Sequence, residues 1–409
     1  MYPMLSVEEA LGRVLSGLSP LPEERVPILA ALGRVVSRDL RAPYDVPPHA
    51  NSAMDGYAVR AADTAGAGPG NPVRLRLVGE VAAGHLPGAG VAPGTAIRIM
   101  TGAPLPPGAD AVVRFEWARR EGEEVLVSRA VPPGQDVRPA GEDVRTGELV
   151  IPAGTRLRPQ EIGMLATLGQ TGVWVHRRPR VGILATGDEL VEPGHPLPPG
   201  KIRNANSYSN YAQVLSCGGI PVPLGVARDR EDEVAARMRA GLERGVDLLL
   251  VSGGVSVGDF DLVKRVLAAQ GRMDFWRVRM KPGKPLAFGW LSLGGREVPV
   301  LGMPGNPVSA MISFLVFARP AILALQGARD LSLPTLTARF ADRVERKDGR
   351  RHFLRVRLSE EGGELVAHLT GDQGSGILSS LVRADALAVI PEDWDHVAPG
   401  ARVEVIPLW

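Results

Sequence analysis

Five carboxylates, Asp188, Glu189, Asp229, Asp259 and Asp261, follow closely on runs that read as β-strands, and Lys281 and Lys284 share the rigid turn Lys281-Pro282-Gly283-Lys284-Pro285. Acids gathered in one cleft repel one another and need a cation to offset the repulsion, and Mg²⁺ is the natural partner for oxygen ligands. Ammonium groups fixed by proline do the opposite work and meet phosphate or another oxyanion. Taken singly, an acid in such a place is more often a helix cap or a solvated surface group, and each lysine is as well read as hydrated surface charge. Convergence is what points to chemistry.

Two loops strengthen it. Ser252-Gly253-Gly254-Val255-Ser256-Val257-Gly258-Asp259-Phe260-Asp261 carries three glycines and two hydroxyls, so its backbone N–H groups can come close to a phosphate. It is no Walker loop, since no GK[ST] follows, and a plain strand-to-helix turn capped by Asp259 competes with the phosphate reading. Met303-Pro304-Gly305-Asn306-Pro307 is a second rigid turn, leading into a helix whose first N–H groups suit an anion, or simply starting that helix. The seven histidines are scattered without metal-ligand spacing and no Gly-x-Ser-x-Gly elbow occurs, which argues against zinc or serine hydrolase chemistry. Cys217 lies on an apolar helical pattern and reads as packing.

The elements that must position these residues follow from periodicity. Strand-like runs at 181–185, 221–226, 247–251 and 298–301 alternate with helical patterns at 207–216, 231–244, 262–270 and 307–325. That alternation predicts an α/β domain over 179–328 with a mostly parallel sheet, and such sheets bind ligands beyond the carboxyl ends of their strands, where these acids and loops fall. Residues 1–40 read as helices, with Ser6 and Glu9 as a capping box and a second helical pattern in Ile28, Leu29, Leu32 and Val36. Short alternating runs such as 74–78 and 124–127 predict an inserted β-rich domain over 51–137. A helix at 159–168 then returns to the N-terminal segment, so that 1–50 and 138–178 form one discontinuous helical domain. The tail, 329–409, reads as a β-barrel-like domain with a hairpin turning at Glu361-Gly362-Gly363-Glu364.

The totals bound the rest. A chain of 409 residues with 44% hydrophobic and 22% charged residues is multi-domain and globular. Its net charge of +2, with no basic block interleaved with aromatics, excludes a nucleic-acid binder. One cysteine excludes an intrachain disulfide and points to a reducing, cytoplasmic setting. The start lacks a signal-peptide pattern, and the apolar run 307–325, interrupted by Arg319 and Pro320, reads as a core helix rather than a membrane span.

Together the segments resemble the molybdopterin molybdenumtransferase family, to which the C-terminal domain of gephyrin also belongs. The resemblance runs through Asn51-Ser52-Ala53-Met54-Asp55-Gly56-Tyr57-Ala58-Val59, Met100-Thr101-Gly102-Ala103, Gly141-Glu142-Asp143, Thr186-Gly187-Asp188-Glu189-Leu190 and Ser252 to Gly258. It continues through the Lys281 and Lys284 turn, Pro304-Gly305-Asn306-Pro307-Val308-Ser309 and Gln373-Gly374-Ser375-Gly376. It implies insertion of molybdenum from molybdate into adenylylated molybdopterin, with release of AMP and help from a divalent cation. It also implies a homodimer whose cleft is shared between subunits, and the molybdopterin adenylyltransferase as a further partner. Asp55 and Thr101 would reach in from the second subunit, and Asp143 would stand near a domain junction. Glu189, Asp229 and Asp261 would form the acidic, metal-linked part. Lys281, Lys284 and Arg355 would face phosphate or molybdate, with Ser252, Gly253, Gly254, Ser256, Gly258, Pro304, Gly305, Asn306, Pro307 and Ser375 completing the substrate site. His49 and Ala50 stand where the family usually has an aromatic residue and an acid, and Arg230 replaces a frequent second acid.

Two other readings compete. One is a scaffolding relative without turnover, against which the retained Asp55, Glu189, Asp261, Lys281 and Lys284 speak. The other is a nucleotide-processing enzyme of the competence-damage type, which shares a related α/β domain but lacks the flanking β domains and the lysine turn.

Overall fold

Leu248–Ser252 carries no polar alternation, and all five of its residues are buried, as expected of a strand covered on both faces. In the computed structural model, which describes residues 4–253 and 262–408, it lies inside a six-stranded sheet. The order is Ile220–Ala227, Arg180–Thr186, Leu248–Ser252, Arg296–Met303, Pro285–Leu293, Gly271–Arg277. The first four strands are parallel, and Pro285–Leu293 runs antiparallel to both its neighbours. All four expected strands are present; Gly271–Arg277 and Pro285–Leu293 extend the sheet beyond them.

Successive residues feed opposite cores. Ile183 packs with helix Val7–Ser16 and the Pro307–Leu325 run, and Leu184 packs with helices Glu231–Glu243 and Leu262–Gln270. Each buried Leu, Ile or Val in these layers contributes roughly 1.5–3 kcal/mol of transfer free energy. Pro307–Leu325 is long and apolar enough to cross a membrane, yet 78% of that stretch is buried, with Val308, Ile312, Phe317 and Ile322 in the core. Its middle, Phe314–Ala318, widens to a π-turn just ahead of Pro320, which has no N–H to return to the preceding turn.

The C-terminal strands close into a barrel. Arg351–Glu361, Glu364–Leu369, Leu336–Phe340, Arg402–Pro407 and Ala386–Ile390 pair in that order, and the last pairs again with the first. The expected hairpin is there, with Glu361 opposite Glu364. Met280–Lys281 adds to this barrel in parallel, placing Lys281 opposite His352, so the lysine turn is stitched to the C-terminal domain.

The third six-stranded sheet lies in a second compact unit, Arg38–Ala153 with Pro159–Gly172. Its order is Ala111–Arg114, Gly56–Val59, Thr95–Ile99, Val73–Val81, Glu124–Val127, Ala118–Glu121, the expected β-rich insertion. Helix Pro159–Thr167 belongs to this unit, and its Met164 packs near Ala42, Val144 and Leu168.

The N-terminal segment corrects one expectation. Val7–Ser16 forms with the capping box of Ser6 and Glu9, but its Val7, Ala10 and Val14 are buried in the α/β core. By contact, residues up to Ser37 group in one compact unit with the α/β and C-terminal residues. The second helix does not form: only the 3₁₀ turn Ile28–Ala30 appears, Gly33 takes a positive φ of 74°, and Val35 and Val36 bridge to Arg156 and Val175. Leu29 is 91% exposed, so the apparent helical period did not mark a buried face.

Candidate active site

The carboxyl ends of the parallel strands and the rim of the C-terminal barrel enclose a cleft of about 1040 Å³. Glu189 and Asp229 line it on the strand-tip side, and Lys281 and Lys284 line it with Ser252, Gly253, Pro304, Gly305, Asn306, Arg355 and Ser375. Opposite charges predicted from separate segments thus share one cavity. Gly254, Ser256, Gly258 and Asp261 lie outside the described residues.

The acidic loops hold one another. The Asp188 N–H donates to Asp229 Oδ2 and the Asp229 N–H to Asp188 Oδ1, both at 3.4 Å, while Lys201 Nζ donates to the Asp188 carbonyl at 2.7 Å. Among the described residues no group of three or more His, Cys, Asp or Glu is placed to hold a metal ion. Two carboxylates on one wall nevertheless fit Mg²⁺, which takes one or two from protein and completes its shell with substrate phosphates and water. Gly253 turns the chain at φ 90°, and a Cβ there would lie 2.4 Å from the Thr186 carbonyl oxygen, so two strand tips touch through a glycine. Beside it, Thr186 Oγ1 and Ser252 Oγ are buried and make no hydrogen bond among the described residues.

The cationic wall is built by the lysine turn. Gly283 sits at φ 108°, where a Cβ would lie 2.8 Å from Ser313 Oγ, so this turn packs on the core helix only with glycine. Pro307 takes the first position of that helix, but the Val308 N–H already donates to the Ser375 carbonyl at 3.2 Å, and Asn306 Nδ2 donates to Ser375 Oγ at 2.8 Å. The Ser375 loop is thereby fastened to the helix start. Arg355 is only 1% exposed and spends its donors inward, Nε to Ser380 Oγ at 3.0 Å and an Nη to the Gly374 carbonyl at 3.1 Å. Its structural work is to hold the 373–375 loop.

The structure adds residues that the sequence reading did not single out. Asn206 lines the cleft and donates to the Gly305 carbonyl at 2.8 Å; Arg350 and His352 line it from the barrel. The signal for the latter pair was weak: 347–352 reads as a charged surface run at the start of a strand.

Asp55 and Thr101 lie in the other unit, brought together from two motifs. The Thr101 N–H and then its hydroxyl hold the exposed Asp55 carboxyl below its ordinary value. Asp143 is exposed in that unit, its N–H donating to the Val46 carbonyl at 3.0 Å. Burial pushes the Cys217 thiol up, as a packing role requires.

Comparison with known proteins agrees with this layout. Residues 5–169 match the MoeA N-terminal region (domain I and II), 182–324 a probable molybdopterin binding domain, and 337–408 the MoeA C-terminal region (domain IV). The chain is 36% identical to molybdopterin molybdenumtransferase 2 of Mycobacterium tuberculosis over 99% of its own length and 100% of that protein. It is 34% identical to the Haemophilus influenzae molybdopterin molybdenumtransferase over 99% of each chain. A solved structure of the molybdopterin biosynthesis moeA protein of Pyrococcus horikoshii OT3 superposes with a TM-score of 0.85 at 34% identity, covering 99% of this chain and 100% of that one. Identity of this level along the entire length, with the N-terminal, central and C-terminal models matched in order, places the chain in the molybdopterin molybdenumtransferase family.

Proposed function

We propose that this cleft binds adenylylated molybdopterin and molybdate, inserts molybdenum at the pterin dithiolene, and releases AMP. The observation that carries the proposal is the meeting of Glu189 and Asp229 with Lys281 and Lys284 in one cavity. Molybdate is a dianion and the nucleotide-linked pterin carries a phosphoanhydride, so both substrates need positive charge, which the two lysines supply. Cleavage of the anhydride by water builds negative charge on the phosphate oxygens, and ammonium groups fixed in a rigid turn stabilise it without a covalent nucleophile. Glu189 and Asp229, with Asp261, would hold Mg²⁺, which supplies neutralisation of the anhydride oxygens when bound. Ser252, Gly253 and the Pro304 to Pro307 turn would bracket the phosphates, and Arg355 would act through the Ser375 loop.

In the same proposal the active form is a cytoplasmic homodimer, in which a second copy supplies Asp55 and Thr101 to the cleft and the molybdopterin adenylyltransferase delivers the substrate. Mixing an Asp55→Ala chain with a Lys284→Ala chain tests the shared cleft: activity recovered above either variant alone supports it, and none recovered opposes it. For the reaction itself, the purified protein with adenylylated molybdopterin, Mg²⁺ and molybdate should release AMP only when molybdate is present. Absence of release would favour a scaffolding role.

A further inference from the structure

Asp348 is not on the surface of the cleft, but three residues that are, Lys281, Arg350 and His352, all converge on its carboxylate. An Arg350 Nη donates to Oδ2 at 2.7 Å and the Arg350 N–H approaches Oδ1 at 3.3 Å. His352 Nε2 stands 3.0 Å from Oδ1 and 3.1 Å from Oδ2, and Lys281 Nζ is 3.9 Å from Oδ2. Burial opposes ionisation of Asp348, yet the hydrogen bonds from His352 and Arg350, with the charge of Arg350 and that of His352 once acid has protonated it, outweigh it and hold the carboxyl down at about 2. An acid held that low accepts and does not donate, so the His352 Nε2 carries the hydrogen. Burial keeps His352 below its ordinary value, leaving it a neutral donor at neutral pH.

Without the carboxylate, the Lys281 ammonium and the Arg350 guanidinium would repel at close range, and the half-exposed lysine would swing into water. With it, two cations and one anion leave a single net positive charge held on the cleft wall. The backbone reinforces the link, because Lys281 pairs with His352 across the junction of the lysine turn and the barrel.

We infer that Asp348 is a positioning residue that ties Lys281 to Arg350 and His352 and thereby sets where positive charge faces the substrate oxyanion; this rests on the proposed reading of the cleft. Molybdate is the substrate most sensitive to it, since a small dianion is held by placed charge alone, whereas the pterin nucleotide has many other contacts. The test is AMP release with each substrate varied while the other saturates. In Asp348→Asn the KM for molybdate should rise about tenfold, the loss of one charge-assisted contact. The KM for adenylylated molybdopterin and kcat should stay within about twofold, and Asp348→Glu should recover part of the molybdate affinity. His352→Leu, which removes the donor behind the carboxylate, should shift molybdate KM in the same direction and serves if Asp348→Asn proves unfolded by its thermal midpoint. An active wild type with unchanged molybdate KM in the folded variants would overturn the inference. If the wild type releases no AMP, the reaction reading fails instead, and calorimetric binding of molybdate to wild type and variants decides the role of Asp348, an unchanged Kd overturning it.

Discussion

The Asp55 carboxylate accepts two hydrogen bonds from Thr101, one from its N–H and one from its hydroxyl, each at 2.7 Å to the same oxygen. Both bonds favour the ionised acid, so the folded value is lowered from 3.8. A lowered folded value gives stabilisation that is present above the unfolded value and lost as pH falls through the folded one. Thr101→Ala keeps the N–H bond and removes the hydroxyl, so it should be less stable than wild type at neutral pH, with the difference shrinking on acidification. Chemical denaturation at neutral pH and below the carboxylate range reads this directly; a gap that widens in acid contradicts it.

Lys284→Gln should lower kcat for AMP release by about 10²-fold, the usual loss when one preorganised donor to developing charge is removed. The thermal midpoint should be unchanged, since Lys284 faces the cleft. Steady-state kinetics on the folded variant check this, and a variant with wild-type kcat would remove Lys284 from the reaction.

Glu189→Gln and Asp229→Asn should each raise the Mg²⁺ concentration that gives half-maximal turnover by about tenfold, because each leaves two of the three proposed carboxylates. Chelation should abolish turnover of the wild type, and added Mg²⁺ should restore it. Asp261→Asn should abolish AMP release with the fold intact; wild-type turnover in that variant would take Asp261 off the catalytic set.

At the opposite end of the sheet, Asp247 accepts from both Nη groups of Arg177 at 2.7 Å, from the Arg180 N–H at 2.9 Å and from Arg296 at 3.1 Å. Its side chain is 3% exposed, so Asp247→Ala should cost about 2–3 kcal/mol, less than a fully buried pair because both guanidinium groups reach solvent. Denaturant titration measures the loss, and the molybdate KM of the folded fraction should not move.

Much of the α/β domain was legible because its signals are local. The strand 248–252 announces two-sided burial, and Gly253, Gly283 and Pro307 mark turns whose geometry few other residues allow. The loop positions of Glu189, Asp229, Lys281 and Lys284 then followed from topology. Asp348, Arg350 and His352 were illegible because their meaning depends on where a barrel edge lands beside the lysine turn, a pairing between residues far apart in sequence. Arg355 carries the charge of a binding residue, and only its burial shows where its donors go. The false helix at 28–36 shows the converse: Leu29 and Leu32 fit a helical period, but Pro27 and Gly33 bracket the stretch and tertiary bridges claim Val35 and Val36.

Crystals soaked with tungstate, a heavy and similarly charged stand-in for molybdate, show an oxyanion by its anomalous signal. A peak in the cleft within contact distance of Lys281 or Lys284 is the predicted result. Ordered peaks only elsewhere, with none in that cavity, would contradict the placing of the oxyanion between these lysines and the acids at the strand tips.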